Sequence, residues 1–403
     1  MSAQIFLLTI AGDNRPGMCT RIAAELAERG ASVLDIGQAV IHNTLSLGLM
    51  VSLPAGACME ELAGAIESAL ADCDIRMKTA PVSAADYSDW VAGHGQPKHI
   101  ITLIGRTLSA CTIAAVSAVL ARHGLDIYHI TRLTGRIPID RIAAQTQASV
   151  EFIARGEVAS LLALKTELMS LGSKLQVDLA YQEDNAYRRN RRLVAFDMDS
   201  TLIREEVIDE LAAEAGVGGE VAQITAAAMR GELDFAQSLR RRVGLLKGLP
   251  AAVLEQVAQR LTLNEGAGRL VSRLRELGCK TAILSGGFDY FGNYLSERLN
   301  IDHVYANQLE IMDDKLTGRL QGEIIDAERK ATLLRMLAKQ QGLTLQQTIA
   351  VGDGANDLQM LSIAGMGVAF HARPLVRESA DYALDTLGLD AILYLLGYHD
   401  RDS

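Results

Sequence analysis

The sequence predicts an α/β domain with a Rossmann-like parallel sheet and a helical cap, preceded by two small α+β domains of ferredoxin-like order. Three observations support this prediction. The second half contains three short apolar runs that each end in polar residues, which is typical of parallel strands buried on both faces. A stretch of helical periodicity separates the first run from the second, and the first 180 residues repeat one order of strands and helices. A length of 403 residues leaves room for two to three domains.

The first part of the chain carries a weak internal repeat. In each copy an apolar strand ending in glycine leads into an alanine-rich helix, and two alternating strands, a second helix and a final strand follow. This βαββαβ order is the ferredoxin-like arrangement. The first copy has these elements at 5–12, 18–29, 32–41, 44–53, 59–71 and 75–80, and the second has them at 100–105, 109–123, 126–134, 143–152, 157–171 and 174–180.

This order resembles a tandem of ACT domains, which are small modules that bind amino acids at their interfaces. The loop 12–17 (GDNRPG) is similar to the family's Asp-Arg-Pro-Gly turn, with Asn14 inserted. A proline at the helix start, beside a glycine, leaves backbone N–H groups for a carboxylate. The second copy has 105–109 (GRTLS) here and lacks both residues, and for both copies a dimerisation module without a ligand remains the alternative. The candidate regulatory residues are Asp13, Asn14, Arg15, Pro16 and Gly17.

The polar and apolar patterns after the repeat suggest where the domains begin and end. Residues 182–192 (QEDNAYRRNRR) are polar, and we expect a linker whose basic cluster is solvated. Apolar residues recur at helical spacing over about 205–277, which predicts the cap, and 309–318 predicts a peripheral β-hairpin. The predicted domains are therefore 1–82, 97–181 and 193–403, with the linker at 182–192.

The first apolar run of the second half, 193–196, ends in Asp197 and Asp199. Ligands gather beyond the carboxyl ends of parallel strands, so both acids stand where such sheets do chemistry. Asp and Ser also favour turns, and an Asx-turn after a strand is the structural alternative.

The other two runs end in polar residues of different kinds. The run 279–287 (CKTAILSGG) ends in Ser285, Gly286 and Gly287. The run 348–358 (TIAVGDGANDL) reaches Asp353 and then Asn356 and Asp357, which could equally cap a helix. Between these runs Lys330 lies in the helical stretch 325–341, where a lysine by itself is ordinarily a solvated charge.

An acid pair, a hydroxyl with glycines, a lysine and a second acid pair, in that order over about 193–398, resemble the four motifs of the haloacid dehalogenase superfamily of phosphohydrolases. The resemblance implies that Asp197 attacks phosphorus and that Asp199 is the general acid and base. It further implies that Ser285, the Gly286 N–H and Lys330 bind the phosphoryl group. A Mg²⁺ ion would be held by Asp197, the backbone carbonyl of Asp199 and Asp353, with Asn356 and Asp357 orienting the metal shell and the substrate.

The segment 196–250 resembles the phosphoserine phosphatase family, through FDMDSTLI, VIDELA and AAMRGELDFAQSLRRRV. The resemblance implies that Glu206 binds the substrate ammonium, Arg242 binds its carboxylate, and Met229 and Phe235 close the pocket. The implied substrate is O-phospho-L-serine, hydrolysed to L-serine in the last step of serine biosynthesis. Two ACT-like modules on such an enzyme imply feedback inhibition by L-serine and a homodimer.

Two other functions stay open at this point. One is a related phosphatase for another small phosphomonoester. The other is a non-enzymatic amino-acid sensor whose sheet accepts phosphate as a signal. Asp199 argues against the sensor, because a lasting phosphoryl signal is better served without an acid/base group beside it.

The bulk composition argues against several partners. A net charge of −10 is unlike that of nucleic-acid-binding domains, which need a basic face. The five cysteines show no CxxC spacing and are typical of free thiols in a reducing compartment. The N-terminus has no basic region, its apolar run is too short for a signal peptide, and no run reaches the roughly 20 apolar residues of a membrane span. We therefore expect a cytoplasmic protein without nucleic-acid or membrane partners.

Overall fold

The computed structural model describes residues 4–93, 95–136, 138–139 and 147–400. The chain forms two compact units, Met1–Gln96 and Pro97–Ser403. Within the described ranges, no helix has both the length and the apolar character needed to cross a bilayer.

The first unit has the ferredoxin-like fold that the sequence predicts. Its sheet has the order β2-β3-β1-β4, and alternate residues of β3 face the apolar sides of the two helices. The helix α3 was not predicted, since it is short and buries none of its residues. The elements are β1 Gln4–Asp13, α1 Met18–Glu28, β2 Ser32–Ile41, β3 Thr44–Leu53, α2 Met59–Ala69, β4 Ile75–Val82 and α3 Ala84–Gly93.

The second unit begins with the second ferredoxin-like module, whose sheet has the equivalent order β6-β7-β5-β8. Its last helix was predicted at 157–171 and its last strand at 174–180, and both predictions are wrong by about four residues. The helix starts later because Ser160 caps it, accepting a hydrogen bond from the Ala163 N–H at 3.2 Å. Residues 143–146 of a predicted strand lie outside the described residues. The elements are β5 Lys98–Gly105, α4 Ala110–Arg122, β6 Asp126–Arg132, β7 Ala148–Arg155, α5 Leu161–Leu175 and β8 Asp178–Glu183.

The α/β domain is built on a seven-stranded sheet of order β12-β11-β10-β9-β13-β14-β15. Neighbouring strands are parallel except for the edge strand β12, which is antiparallel to β11 and forms the expected peripheral hairpin. The Rossmann-like parallel sheet is therefore confirmed. Its strands are β9 Leu193–Phe196, β10 Lys280–Phe288, β11 His303–Met312, β12 Lys315–Gln321, β13 Thr348–Gly352, β14 Met366–Phe370 and β15 Tyr382–Leu384.

Helices follow the strands, and four of them form the cap between β9 and β10. The last helix of the predicted cap range, α10, packs on strand β10 of the sheet. The helices are α6 Val207–Glu214, α7 Gly218–Met229, α8 Phe235–Leu245, α9 Ala252–Arg260, α10 Ala267–Glu276, α11 Asp289–Leu299, α12 Ala327–Gln340, α13 Leu358–Ile363, α14 Pro374–Ser379 and α15 Ile392–Leu395.

The prediction of a solvated basic cluster in residues 182–192 is wrong for two of its four arginines, whereas Arg189 is exposed as expected. Arg188 is 6% exposed and Arg191 is 7% exposed. The Arg188 guanidinium pairs with the buried carboxylate of Glu151 in the second module and donates to the Leu395 carbonyl oxygen at 3.3 Å. A buried guanidinium must be paired and hydrogen-bonded to be tolerated, and these contacts meet that requirement. Arg188 therefore anchors an otherwise largely exposed segment between the second module and the α/β domain.

Candidate active site

The carboxyl ends of β9, β10 and β13 meet at one edge of the sheet. Strand β9 lies between the other two, with Phe196 in register with Ile283 on one side and Val351 on the other. The backbone N–H of Asp197 extends this ladder by donating to the Val351 carbonyl oxygen at 2.9 Å. Asp197, Ser285 and the residues after β13 are thus brought together, as parallel strands require.

The chain turns sharply after β9 and directs its acids into the cavity. The side chain of Asp197 accepts the Met198 N–H at 2.7 Å, and Ser200 adopts a left-handed conformation with φ of 55°. This turn aims the Ser200 hydroxyl at Glu206, to which it donates at 2.8 Å. Asp199 accepts the Val207 N–H at 3.3 Å, which ties it to the start of the first cap helix.

Lys330 is fully buried and lies between two carboxylates. Its Nζ is 3.0 Å from Asp197 Oδ1 and 2.7 Å from Asp357 Oδ1. Burial acts to lower the pKa of Lys330, but the two carboxylates outweigh it and raise the pKa above its ordinary value. Asp326 caps the helix that carries this lysine by accepting the Arg329 N–H at 2.9 Å. Lys330 is therefore a fixed cation behind the nucleophile candidate and not a solvated charge.

Three carboxylates form an acidic cluster, Asp197, Asp353 and Asp357, with one oxygen of each within 4.8 Å of the others. Burial, then the charges of Asp197 and Asp357, raise the pKa of Asp353 to about 7. Repulsion of this kind is relieved by a hard divalent cation, and the all-oxygen donor set fits Mg²⁺. The second oxygen of Asp357 accepts the Gly354 N–H at 3.0 Å and its first binds Lys330, so this acid orients the cluster from behind.

Two glycines at the end of β10 are required by close contacts. A Cβ at Gly287 would lie 2.5 Å from Asp199 Oδ2, and a Cβ at Gly286 would lie 2.7 Å from the Phe235 ring. Phe235, which begins the cap helix α8, therefore closes over residues 285–287 at the end of β10. Burial raises the pKa of Asp199 well above its ordinary value, and the charges of Glu206 and Asp197 raise it further.

The cap contributes a cation of a different kind. Arg242 lines the cavity, whereas its neighbours Arg240 and Arg241 are exposed. Its guanidinium forms no hydrogen bond or ion pair with any residue in the described part of the chain, and its Nε is buried. Burial lowers the pKa of Arg242, although the charges of Asp209 and Glu206 oppose this effect. The structure thus distinguishes one arginine among three adjacent ones.

A cavity of about 750 Å³ connects these groups. Lys330 and Asp357 stand behind its wall with no exposed surface. Met229 lies at the mouth with 63% of its surface exposed. The predicted site residues that line the cavity are Asp197, Asp199, Glu206, Met229, Phe235, Arg242, Ser285, Gly286, Asp353 and Asn356.

The sequence did not single out several polar residues of this site. Asn307 is 2% exposed, donates to the Gly286 carbonyl oxygen at 2.8 Å and accepts the Ile325 N–H at 2.9 Å. It therefore ties the end of β10 to the segment that leads into the helix of Lys330. Thr201 donates to Asp353 at 3.3 Å. No local pattern marks these residues, because their partners are distant in sequence.

The candidate regulatory loop lies in the first unit. Asp13 ends β1, Gly17 has φ of 86° and precedes α1, and Arg15 donates to the Asp72 carbonyl oxygen at 2.7 Å. The expectation of a proline at the helix start is wrong, since Pro16 stands two positions before the first helical residue, Met18. The loop from residue 14 to residue 17 is exposed.

Comparisons with known proteins agree with this geometry. The model of the haloacid dehalogenase-like hydrolase family matches residues 194–362, and that of the ACT domain matches residues 4–79. Fold and site thus define a haloacid dehalogenase-like hydrolase that carries an ACT domain.

Proteins of similar sequence and structure identify a narrower family within this class. A phosphoserine phosphatase of Streptomyces coelicolor is 41% identical over 97% of this chain and 92% of its own length. Phosphoserine phosphatase of Mycobacterium tuberculosis is 39% identical over the same shares. The unliganded crystal structure of a probable phosphoserine phosphatase from Vibrio cholerae is similar with a TM-score of 0.60 and 36% identity, over 74% of this chain and 86% of that one. The chain belongs to the phosphoserine phosphatase family.

Proposed function

We propose that the protein hydrolyses O-phospho-L-serine to L-serine and phosphate, which would be the last step of serine biosynthesis. The observation that carries this proposal is the charge arrangement of the cavity. One side offers Asp197, Ser285 and Lys330 to a phosphoryl group, and the other offers Glu206 and an unpaired Arg242. A leaving group that carries both an ammonium and a carboxylate is complementary to one acid and one guanidinium.

The residues support a two-step reaction. A carboxylate oxygen of Asp197 attacks phosphorus and forms an aspartyl phosphate, while the bond from phosphorus to the serine oxygen breaks. Asp199 gives its proton to the leaving alkoxide, and its raised pKa keeps that proton available. In the second step Asp199 takes a proton from water, which attacks phosphorus and releases phosphate from Asp197. Lys330 neutralises charge at the nucleophile throughout.

The carboxylates of Asp197 and Asp353, with the backbone carbonyl of Asp199, would hold Mg²⁺ in this site. The ion supplies charge neutralisation, so that the phosphate dianion can approach several carboxylates. Asn356 also lines the cavity, which supports a role in orienting the metal shell and the substrate.

The test is phosphate release from O-phospho-L-serine, O-phospho-L-threonine, O-phosphoethanolamine and glycerol 3-phosphate, each with and without Mg²⁺. We expect rapid release from O-phospho-L-serine only with the metal, and much slower release from the esters that lack an ammonium or a carboxylate. Equal rates on all four would contradict the proposal and favour a general phosphatase of small esters. Activity that persists in the presence of a chelator would contradict the metal requirement.

We further propose that L-serine inhibits the enzyme by binding the ACT domain of the first unit at Asp13–Gly17, between the subunits of a homodimer. The first turn of α1, which follows the exposed loop, leaves backbone N–H groups for a carboxylate, and Asp13 suits an ammonium. Coupling between two such sites is typically about 1–3 kcal/mol.

This regulation can be tested with two changes, a chain that begins at Pro97 and Asp13→Ala in the full chain. The truncation is placed there because residues 97–403 form one compact unit, in which the buried Arg188 pairs with Glu151 of the second module. Both should retain activity and lose inhibition by millimolar L-serine. Unchanged inhibition in the shortened chain would mean simple product competition at the active site.

A further inference from the structure

Two hydroxyl groups in the cap lack hydrogen-bond partners in the structure as described. Ser238 Oγ and Thr225 Oγ1 are both buried, and Ser238 as a whole is only 2% exposed. Both residues line the cavity that contains Arg242. Buried hydroxyls in native proteins are nearly always hydrogen-bonded, so two unpaired ones in a single cavity call for an explanation.

The helix geometry places these hydroxyls on the same side of the cap as Arg242. Phe235, Ser238 and Arg242 follow one another on α8 at intervals of three and four residues, and all line the cavity. Residues with this spacing share one face of a helix. Thr225 lies on α7, which packs against α8, and it too lines the cavity. The same wall of the cap therefore presents the two hydroxyls and the buried Nε of Arg242.

A local partner was available to Ser238 and is not used. A serine in a helix commonly donates to the carbonyl four residues earlier, which here is that of Asp234. That carbonyl oxygen accepts the backbone N–H of Ser238 at 2.9 Å, while the hydroxyl has no partner. Arg242 Nε can only donate and both hydroxyls can donate, so a single acceptor group would pair all three. A carboxylate fits, since its two oxygens offer about four acceptor sites and a guanidinium takes only two of them.

We propose that Ser238 and Thr225 donate hydrogen bonds to the substrate carboxylate bound by Arg242. This inference rests on the proposed function and extends it, because it makes the two hydroxyls determinants of specificity for an α-carboxylate. The two hydroxyls lie on the cap, whereas the reacting acids and Lys330 lie at the sheet edge. We therefore expect the hydroxyls to affect substrate binding and not the chemical step.

The experiment compares Ser238→Ala and Thr225→Val in the full chain on two substrates, O-phospho-L-serine and O-phosphoethanolamine. The second has the same phosphate and ammonium and lacks the carboxylate. We expect kcat/KM on O-phospho-L-serine to fall about tenfold for each variant, mainly through KM, because a uniform binding contact is lost. On O-phosphoethanolamine the loss should stay within about twofold.

Ser149→Ala is the matched control. Ser149 has 1% exposure and an unpaired buried hydroxyl, but it lies in the second module and does not line the cavity. This variant should leave both substrates unaffected. Thermal unfolding checks the fold, and Ser238→Ala should keep or raise Tm, because it removes an unpaired polar group and alanine favours a helix.

Two results would overturn the inference. Equal losses on both substrates would mean that the hydroxyls only hold the cap, and no loss on either would mean that they do not touch the ligand. The wild-type protein and Arg242→Ala separate this failure from that of the proposed function. The proposed function fails together with the inference in either of two cases. One is a wild type that shows no preference for O-phospho-L-serine over O-phosphoethanolamine, and the other is an Arg242→Ala variant that loses activity equally on both substrates. If both behave as expected, only the assignment of the two hydroxyls fails.

Discussion

The cations on the two sides of the candidate active-site cavity differ in whether the chain itself supplies their partners. At the sheet edge Lys330 has two carboxylate partners within 3.0 Å and no exposed surface. On the cap Arg242 has no hydrogen bond or ion pair within the described ranges, and two hydroxyls near it are also unpaired. The cation at the sheet edge is thus paired within the chain, whereas under the proposed function the donors on the cap are paired by the ligand.

This difference follows from what each side has to recognise. Every phosphomonoester has the same phosphoryl group, so fixed charges at the sheet edge can be preorganised without loss of selectivity. Selectivity depends on the leaving group, and donors left unpaired on the cap reject a ligand that cannot pair them. The sheet edge should therefore control turnover of all substrates and the cap should control the choice among them.

Asp197→Asn tests the sheet edge most directly and should have the largest effect. The amide preserves the shape but cannot form the aspartyl phosphate, so kcat should fall at least about 10⁴-fold on every substrate. Wild-type protein quenched during turnover should carry a hydroxylamine-labile phosphate on Asp197, and the variant should carry none. Near wild-type turnover by the variant would be incompatible with the mechanism.

Lys330→Met should reduce kcat on all phosphoesters by about 10²–10³-fold, because the phosphoryl charge loses its fixed cation. It should also lower the free energy of unfolding by about 3–5 kcal/mol, since it leaves two buried carboxylates uncompensated. Denaturant unfolding without metal measures this loss. The control is Lys280→Met, because Lys280 pairs with Asp302 at the surface and should contribute less than about 1 kcal/mol. A selective effect on one substrate would contradict the proposed division of roles.

Unlike Lys330→Met, the substitution Arg242→Ala should not destabilise the protein. It should reduce kcat/KM on O-phospho-L-serine by about 10- to 150-fold, while O-phosphoethanolamine is much less affected. Because Arg242 is half-buried and its buried Nε has no partner among the described residues, its removal should leave Tm unchanged or higher. The exposed neighbour Arg241 supplies the control, as Arg241→Ala should change neither property. A marked fall in Tm would show that Arg242 stabilises the fold, which would contradict its assignment to ligand binding.

Asn307→Ala should have the smallest effect of the four. The amide fixes the Gly286 peptide and the segment before α12, so its loss should slow turnover about tenfold on both substrates alike. Steady-state kinetics on the substrate pair measures it. A loss of activity confined to O-phospho-L-serine would instead assign Asn307 to recognition of the leaving group, the role proposed for the cap.

Local sequence patterns were sufficient to predict most of the secondary structure and the ends of the strands that carry the site. The βαββαβ repeats, the strands before Asp197, Ser285 and Asp353, and the helical cap follow from periodicity, apolar runs and turn residues, which act over a few positions along the chain. The site residues that the resemblance indicated are gathered around one cavity, because parallel strands end at a common edge.

Packing between distant segments decided the rest. Lys330 and Arg242 are both cations on helices, and only the fold places one between two carboxylates and leaves the other unpaired. Arg188 belongs to a polar run that looks solvated, yet Glu151 and Leu395 bury it. A side chain's pairing depends on which groups the folded chain brings within about 3 Å, and those partners lie too far along the sequence for any local pattern to specify.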